Sequence, residues 1–188
     1  MALKTEMKWL FNEGLNLMSD ETWRLKFQPL TAEHVAEILK WRYEPPYDLY
    51  NMGEGTEDPV TLIEAIDYFT QPEYHFQAML RQPGGELAAF CSFGLDGRVS
   101  GGDYSLPAVD IGMGVHPANT GRGLGVIFAG AAIDFARQNF PEPRLRVTIA
   151  EFNRRAQKVW ERHGFVPVQR FVANFGKRPF IIYVKELG

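Results

Sequence analysis

The sequence predicts an α/β fold in which helices cover both faces of a mixed sheet. Segments that alternate apolar and polar residues, as strands do, are interspersed with segments whose apolar residues recur every three or four positions, as in amphipathic helices. The predicted order is β-α-α-β-β-β-α-β-α-β-β, with no internal repeat. The length of 188 residues fits one domain with a sizeable core.

The chain begins its regular structure with a short strand, WRLKFQPLT, that ends at Pro29. Thr31 is a typical helix N-cap, although His34 stands where a capping box has glutamate, and the helix AEHVAEILKWR follows. The prolines and glycines of YEPPYDLYNMGEGTEDP exclude a regular element, so we predict a long loop, which in a compact domain is often functional. A second helix, VTLIEAIDYFTQ, starts after Asp58 and Pro59.

The remaining elements are six strands and two helices. Strands EYHFQAML and ELAAFCSFGLD are joined at RQPGGE by a predicted hairpin turn, and AVDIGMGVHP is the fourth strand. A helix spans Leu124 to Phe140, with its apolar residues on one side. The strand RLRVTIAE then alternates regularly, the helix NRRAQKVWERHG ends at Gly164, and the strands FVPVQRF and FIIYVKE come last.

The N-terminal stretch has helical spacing, and MSDETWRLKF from Met18 resembles a natural start. We therefore predict a helical extension over residues 1–17 and the domain over residues 18–188. Lysines and glutamates interrupt the apolar positions of the extension, which lacks a signal-peptide core. No segment approaches the ~18 apolar residues of a membrane span, and the single cysteine, Cys91, excludes an intrachain disulfide. We expect a cytoplasmic protein without a membrane partner.

Composition also limits the partners. The formal net charge of −3 offers no basic surface to a nucleic acid, so we expect no nucleic-acid partner. The four histidines show no metal-ligand spacing, and we assign no metal. A mildly acidic surface would tolerate a cationic small substrate.

The stretch HPANTGRGLGVIF contains a glycine-rich loop before a helix. It lacks the Gly-Lys-Ser/Thr ending of a nucleotide triphosphatase loop. Its G-x-G-x-G spacing, late in the chain, also differs from a dinucleotide fingerprint. A strand, a tight glycine turn and a helix N-terminus together suit a pyrophosphate bound without a metal. A plain glycine-rich turn is the alternative.

The strand before this loop carries Asp110, Gly112 and Gly114 on one face and apolar residues on the other. Glycines weaken a strand interior unless a bulge or a closely approaching ligand requires them. We therefore predict an extended ligand along this strand, with its phosphates on the loop and its reactive end beside Asp110.

The run Val109–Phe171 resembles the cofactor-binding half of the GNAT N-acetyltransferases. Their loop motif, Gln/Arg-x-x-Gly-x-Gly/Ala, matches the segment from Thr120 to Gly125 except at its first position. Their second motif, Asn-x-x-Ala-x-x-x-Tyr-x-x-x-Gly-Phe, matches the segment from Asn153 to Phe165, with Trp160 in place of tyrosine. From the residues alone, Asn153 is better explained as a helix N-cap.

This resemblance implies a mixed, mostly antiparallel sheet of six or seven strands flanked by about four helices. It implies acetyl-CoA as the co-substrate and direct attack of an amine on the thioester in a ternary complex. The residues expected to hold acetyl-CoA are Met113, Gly114 and Val115 for the pantetheine, Gly121, Arg122, Gly123, Leu124 and Gly125 for the pyrophosphate, and Asn153 for a hydrogen bond to the pantetheine.

We predict Asp110 as the general base, because a carboxylate at this strand position serves as base in parts of the family. An edge-facing or salt-bridged aspartate is the alternative. The family tyrosine that protonates the thiolate is replaced by Trp160, whose indole N–H donates a hydrogen bond without giving up a proton. Either Tyr104 or Tyr183 takes that role, or the thiolate leaves unassisted.

The acceptor is expected in the loop after the first helix and at the last hairpin. Five residues of that loop form a predicted aromatic and acidic pocket for a cation: Tyr43, Glu44, Tyr47, Asp48 and Tyr50. A loop packed over the core by its tyrosines is the alternative. We predict a small primary amine as acceptor and a possible homodimer. A CoA-binding sensor without chemistry and a protein N-terminal or lysine acetyltransferase remain alternatives.

Overall fold

Seven strands form one sheet in the computed structural model, which describes residues 23–52 and 59–188. The strands are β1 (Arg24–Pro29), β2 (Gln77–Gln82), β3 (Glu86–Phe93), β4 (Val109–Val115), β5 (Arg144–Ala150), β6 (Val166–Val172) and β7 (Pro179–Glu186). The α-helices of the described residues are α1 (Ala32–Ile38), α2 (Pro59–Thr70), α3 (Gly125–Asn139) and α4 (Arg154–Arg162). The predicted α/β fold is confirmed. The predicted extension over residues 1–17 lies outside the described residues.

The strand order across the sheet is β1-β2-β3-β4-β5-β7-β6. Neighbours pair in antiparallel fashion except β4 and β5, which are parallel. The sheet is therefore mixed and mostly antiparallel, as predicted. Its two halves, β1–β4 and β5-β7-β6, meet at the single parallel pair.

Two core clusters cover the two faces of the sheet. Met79 on β2 and Cys91 on β3 are fully buried against α3. Because strand side chains alternate, Ala78 on β2 and Phe90 on β3 point to the other face, where they pack with α1 and α2. Helices thus lie on both faces. Cys91 is a buried hydrophobe, and burial raises the pKa of its thiol well above the ordinary value.

Several element boundaries differ from the prediction. Helix α1 ends at Ile38 instead of Arg42, because the backbone tightens there with a Lys40 N–H to Glu37 carbonyl bond. Strand β2 begins at Gln77, four residues late, because His75 has a left-handed conformation with φ +46° that interrupts an extended chain. The predicted loop contains one 3₁₀ turn, Tyr47–Tyr50.

Thr31 is the N-cap of α1, as predicted, and its side chain accepts from the His34 N–H. His34 also supplies the second half of a capping box, because its Nδ1 accepts from the Thr31 N–H at 3.1 Å. Among the residues described, no helix has both the length and the apolar character needed to cross a lipid bilayer.

Candidate active site

A wedge opens between β4 and β5. The parallel ladder joins only two residue pairs, Val109 with Leu145 and Asp110 with Arg146. Beyond them β4 continues along β3, while β5 continues along β7. The two strands therefore diverge, and the far part of β4 has a backbone edge that pairs with no strand of residues 23–52 and 59–188.

The hydrogen-bonding register shows which backbone groups face this wedge. The Gly94 N–H donates to the Asp110 carbonyl at 2.8 Å, and the His116 N–H donates to the Ala88 carbonyl at 3.0 Å. In an antiparallel pair such residues alternate with residues that point away from the partner. Even-numbered residues of β4 therefore face β3, and the odd-numbered ones face the wedge. Of the predicted pantetheine contacts, Met113 and Val115 present their backbone groups to it, whereas Gly114 does not.

The glycine loop leads from the wedge into α3. Gly121 and Gly123 have φ of +71° and +79°, and a Cβ on either would meet nothing within 4 Å. Backbone conformation, not crowding, therefore requires these two glycines. Leu124 caps α3 without a side-chain hydrogen bond, so the first N–H groups of the helix lack a side-chain partner. The exposed Arg122 adds a cation. This arrangement suits an anion.

Gly125 has a different role. A Cβ at this position would lie 3.0 Å from Cγ2 of Val159, so the glycine lets α4 pack closely against the start of α3. The contact packs the middle of α4 against the first turn of α3.

Asn153 lies at the start of α4 and uses both halves of its amide. Its Oδ1 accepts from the Ala156 N–H at 3.0 Å, which makes it the helix N-cap. Its Nδ2 donates to the Tyr50 hydroxyl at 3.1 Å. A hydrogen bond from Asn153 to a pantetheine would have to replace the bond to Tyr50.

Side chains of the protein fill the space beside the two glycines of β4. A Cβ at Gly114 would overlap the Phe90 ring, and a Cβ at Gly112 would overlap Oγ of Ser92. Neighbouring side chains therefore account for both glycines. The predicted ligand along that face finds no room there, and the open backbone edge lies in the wedge.

Asp110 is fully buried between two guanidinium groups. Its Oδ2 accepts from Nη2 of Arg146 at 2.8 Å and from Nε of Arg98 at 2.7 Å, and its Oδ1 accepts from Nε of Arg146. Arg146 is itself only 3% exposed. A carboxylate held in this way has no oxygen directed at a substrate, so the geometry corresponds to the salt-bridged alternative and gives the predicted base role no support.

The residues considered as proton donors to the thiolate are engaged in packing or in hydrogen bonds within the protein. Trp160 is buried and packs edge-on against Phe165, with ring centroids 5.0 Å apart. The buried Tyr183 donates to Glu161 at 3.3 Å, and burial raises the pKa of its hydroxyl. The Tyr104 hydroxyl accepts from the Val99 N–H at 2.8 Å and also bonds Oγ1 of Thr148.

The predicted acceptor loop packs against the start of α4. The Tyr50 ring stacks on Phe152 at 6.0 Å, and Tyr47 lies at the same distance from that ring. The guanidinium of Arg155 lies 4.6 Å from the centre of the Tyr47 ring, so a cation of the protein occupies one aromatic face. Tyr47 and Tyr50 therefore pack against the start of α4, as in the alternative considered from the sequence, and the cation pocket stays a prediction.

Three further residues of this loop are placed as follows. The Tyr43 hydroxyl donates to the Val115 carbonyl at 2.9 Å, which is one of the wedge-facing groups, and burial raises the pKa of that hydroxyl. Glu44 and Asp48 are exposed.

A carboxylate that the sequence did not single out lies beside the wedge. Asp96, in the 3₁₀ turn Leu95–Gly97, accepts from the Tyr68 hydroxyl and from Oγ of Ser92, both at 2.6 Å. These residues come from three elements, and no motif or spacing connects them. In the described ranges, no group of three or more His, Cys, Asp or Glu side chains is arranged to hold a metal ion.

Comparisons with known structures agree with this architecture. A spermidine N-acetyltransferase chimera from Vibrio cholerae and hSSAT is 14% identical, with a TM-score of 0.67 over 87% of this chain and 95% of that one. The spermidine N-acetyltransferase from Vibrio cholerae in complex with CoA and spermine is also 14% identical, with a TM-score of 0.59 and the same coverage. A ribosomal-protein-S5-alanine acetyltransferase from Vibrio fischeri is 13% identical, with a TM-score of 0.57 over 90% and 97%.

At these identities the similarity shows a shared fold, and no curated protein sequence matches the chain. The family described as the acetyltransferase (GNAT) domain matches residues 24–166, which is most of the sequence and includes the wedge, the glycine loop and α4. The chain therefore belongs to the GNAT family of acetyltransferases.

Proposed function

We propose that this protein transfers the acetyl group of acetyl-CoA to a small primary amine. The observation that carries the proposal is the wedge between β4 and β5, which leads directly to a glycine loop and a helix start without a side-chain cap. An extended polar chain that ends in phosphates fits this combination, because the strand edge offers hydrogen bonds and the helix start attracts anions.

In this proposal, the pantetheine arm pairs with the wedge-facing backbone of Met113 and Val115. The pyrophosphate lies on the N–H groups between Gly121 and Gly125, with Arg122 as an additional cation. The Met113 N–H then points toward the thioester and stabilises the oxygen that becomes negative during the attack. To admit the pantetheine, Asn153 exchanges its bond with Tyr50 for a bond to the ligand.

Asp110 has a structural role in this proposal. Its two guanidinium partners join β4, β5 and the β3–β4 connection at the vertex of the wedge. A fixed vertex holds the two strands at the angle that an inserted ligand needs.

The proposed acceptor is a small amine, and one solved relative of the same fold is named for its complex with CoA and spermine. The acidic side chains Glu44 and Asp48 at the mouth of the site favour a cation. A peptide N-terminus is the second candidate, because another solved structure of the same fold is named as a ribosomal-protein-S5-alanine acetyltransferase.

The test is release of the CoA thiol from acetyl-CoA with four acceptors: spermidine, kanamycin, L-methionine and an alanine-initiated tripeptide. Release with one of the first three supports a small-amine acceptor, and release with the tripeptide alone supports a protein acceptor. Calorimetric binding of acetyl-CoA without release in any mixture would instead favour a sensor. Absence of acetyl-CoA binding would contradict the proposal as a whole.

Two further expectations stay predictions. β6 forms one edge of the sheet and exposes Val166, Val168 and Val172, which is compatible with the predicted homodimer. The cytoplasmic location predicted from the sequence is the compartment that we propose.

A further inference from the structure

We propose that Asp96 binds the ammonium group of the acceptor and accepts a proton from it, with Tyr68 and Ser92 as positioning residues. This inference rests on the proposed amine acetyltransferase function and adds a catalytic carboxylate to it. It replaces Asp110, whose oxygen atoms are held by arginines.

The turn after β3 is tight, and it brings Asp96 close to β4. The Gly94 N–H bonds to the Asp110 carbonyl, so the turn Leu95–Gly97 starts directly against β4. A Cβ at Gly97 would lie 3.0 Å from the Asp110 carbonyl carbon, so any larger residue would have to push the turn away from β4. A Cβ at Gly112 would lie 3.2 Å from Oδ2 of Asp96. The carboxylate therefore lies directly above the backbone of Gly112.

This location is beside the vertex of the wedge. Asp110 is the last residue of β4 that pairs with β5, and Gly112 lies two positions after it. The wedge-facing Met113 follows Gly112 directly. Side chains above Gly112 lie on the sheet face that α1 and α2 cover, whereas α3 and the glycine loop approach from the other face. An acceptor bound at Asp96 would thus reach the thioester from the face opposite to α3. The acceptor and acetyl-CoA could then be bound at the same time, as a ternary complex requires.

The charge of Asp96 is available for a ligand. Both of its hydrogen-bond donors are neutral hydroxyls, from Tyr68 and Ser92. Across residues 23–52 and 59–188, no salt bridge includes Asp96, and Arg98, two residues away, binds Asp110 instead. A half-buried carboxylate without a cationic partner is an unfavourable arrangement that an incoming ammonium group would relieve.

The two positioning residues fix the carboxylate from opposite sides. Ser92 is fully buried in β3, whereas Tyr68 on α2 is 38% exposed and lies toward solvent. Partial burial, together with the bond to Asp96, raises the pKa of the Tyr68 hydroxyl, so this group remains a donor over the whole physiological range. The oxygen positions not used by these donors are free for the N–H groups of the acceptor.

The proton balance of the step is as follows. An ammonium nitrogen has no lone pair, so it must lose one proton before it attacks the thioester carbon, and it loses a second as the N–C bond forms. Asp96 accepts one of these protons and passes it to water. The C–S bond breaks with its electron pair on sulfur, and the thiolate takes up the other proton. The products are an acetamide and the CoA thiol, with one proton released.

The test compares Asp96→Asn with wild type in the thiol-release assay, with the four acceptors named above. We expect kcat/KM for the amine to fall by about 100-fold or more, the size of a general-base contribution. The Kd of acetyl-CoA should stay within about twofold, because Asp96 does not touch that ligand. Tyr68→Phe should give a smaller loss of about 10-fold, the lower end of the cost of one lost hydrogen bond to a charged group.

Asp67→Asn is the matched control, because Asp67 precedes Tyr68 on α2 and is bonded by Gln71 at 3.5 Å, away from the Asp96 cluster. It should leave kcat/KM unchanged. Unaltered acetyl-CoA binding shows that Asp96→Asn is folded, and Asp96→Glu, which retains the charge, should recover part of the lost activity if Asn fails this check. An Asp96→Asn enzyme within about threefold of wild type would overturn the assignment. So would an Asp96→Glu enzyme that binds acetyl-CoA but has lost about 100-fold or more of the wild-type kcat/KM. Absence of thiol release by wild type would instead overturn the proposed function, and this assignment with it.

Discussion

Replacement of Asp110 by asparagine separates a structural role from a catalytic one. The substitution keeps the shape of the side chain and removes its charge. Arg146 then remains 3% exposed with no carboxylate opposite it, whereas Arg98, at 35% exposure, can turn toward solvent. The stability cost therefore comes mainly from Arg146.

The expected magnitude follows from this burial. Removal of one partner from a buried ion pair costs about 3–5 kcal/mol, because the other charge is left unpaired. For a domain of this size, each kcal/mol shifts the thermal midpoint by about 2–4 °C. We therefore expect Asp110→Asn to lower the midpoint by about 10 °C. Arg98→Gln removes only the partly exposed pair, for which about 1 kcal/mol or less is typical, and should lower the midpoint by about 2–4 °C.

The assay is thermal unfolding followed by circular dichroism, combined with turnover measured well below the midpoint of the variant. The structural role predicts a large loss of stability with turnover per folded molecule within a few-fold of wild type. If Asp110 were the base, turnover per folded molecule would fall by about 10²- to 10⁴-fold in addition to the loss of stability. That second result would refute the reasoning.

Two further predictions concern the glycine loop and pH. Gly123→Ala should raise the KM of acetyl-CoA by about 10-fold or more, because a Cβ at φ +79° costs about 1–2 kcal/mol of strain and distorts the N–H groups of the loop. Gly85→Ala, with φ +82° in a hairpin turn and equally open space, should show the strain in unfolding but leave KM unchanged; an equal KM effect in both would argue against an anion site. Burial raises the pKa of Tyr43 and of Tyr68 in the folded state, so the stabilisation that this contributes is present in full below the ordinary pKa of ~10 and is lost as the pH rises through the raised values. Unfolding by urea should therefore become easier above about pH 10, and a flat profile up to pH 11, checked with Tyr43→Phe, would contradict this.

Much of the fold could be predicted because its signals are local. Alternation along RLRVTIAE predicts β5, and the Thr31 cap predicts the start of α1 within one residue. The late start of β2 arose where a single residue departed from regular backbone geometry. His75, at φ +46°, is that residue, and a non-glycine in this conformation has no reliable sequence signal.

The candidate site was predictable only in its anion-binding half. Gly121 and Gly123 are needed for their own backbone angles, which is a property of the loop itself. The glycines of β4 had the same signature, yet the causes are the Phe90 ring and the Ser92 hydroxyl on the neighbouring strand. A glycine that makes room for a ligand and a glycine that makes room for a side chain look alike in a sequence.

The sequence by itself determined the order of elements, the glycine loop at the start of α3 and the two motifs that resemble the GNAT family, because each depends on residues within a few positions of one another. Only the tertiary structure decided the roles of the polar groups. Asp110 pairs with Arg146 from 36 residues away, and Asn153 bonds Tyr50 from 103 residues away. The packing of strands and loops brings such partners together, and these partners decide the state of a carboxylate. Asp110 is held in a salt bridge, whereas Asp96 has no cationic partner among the described residues.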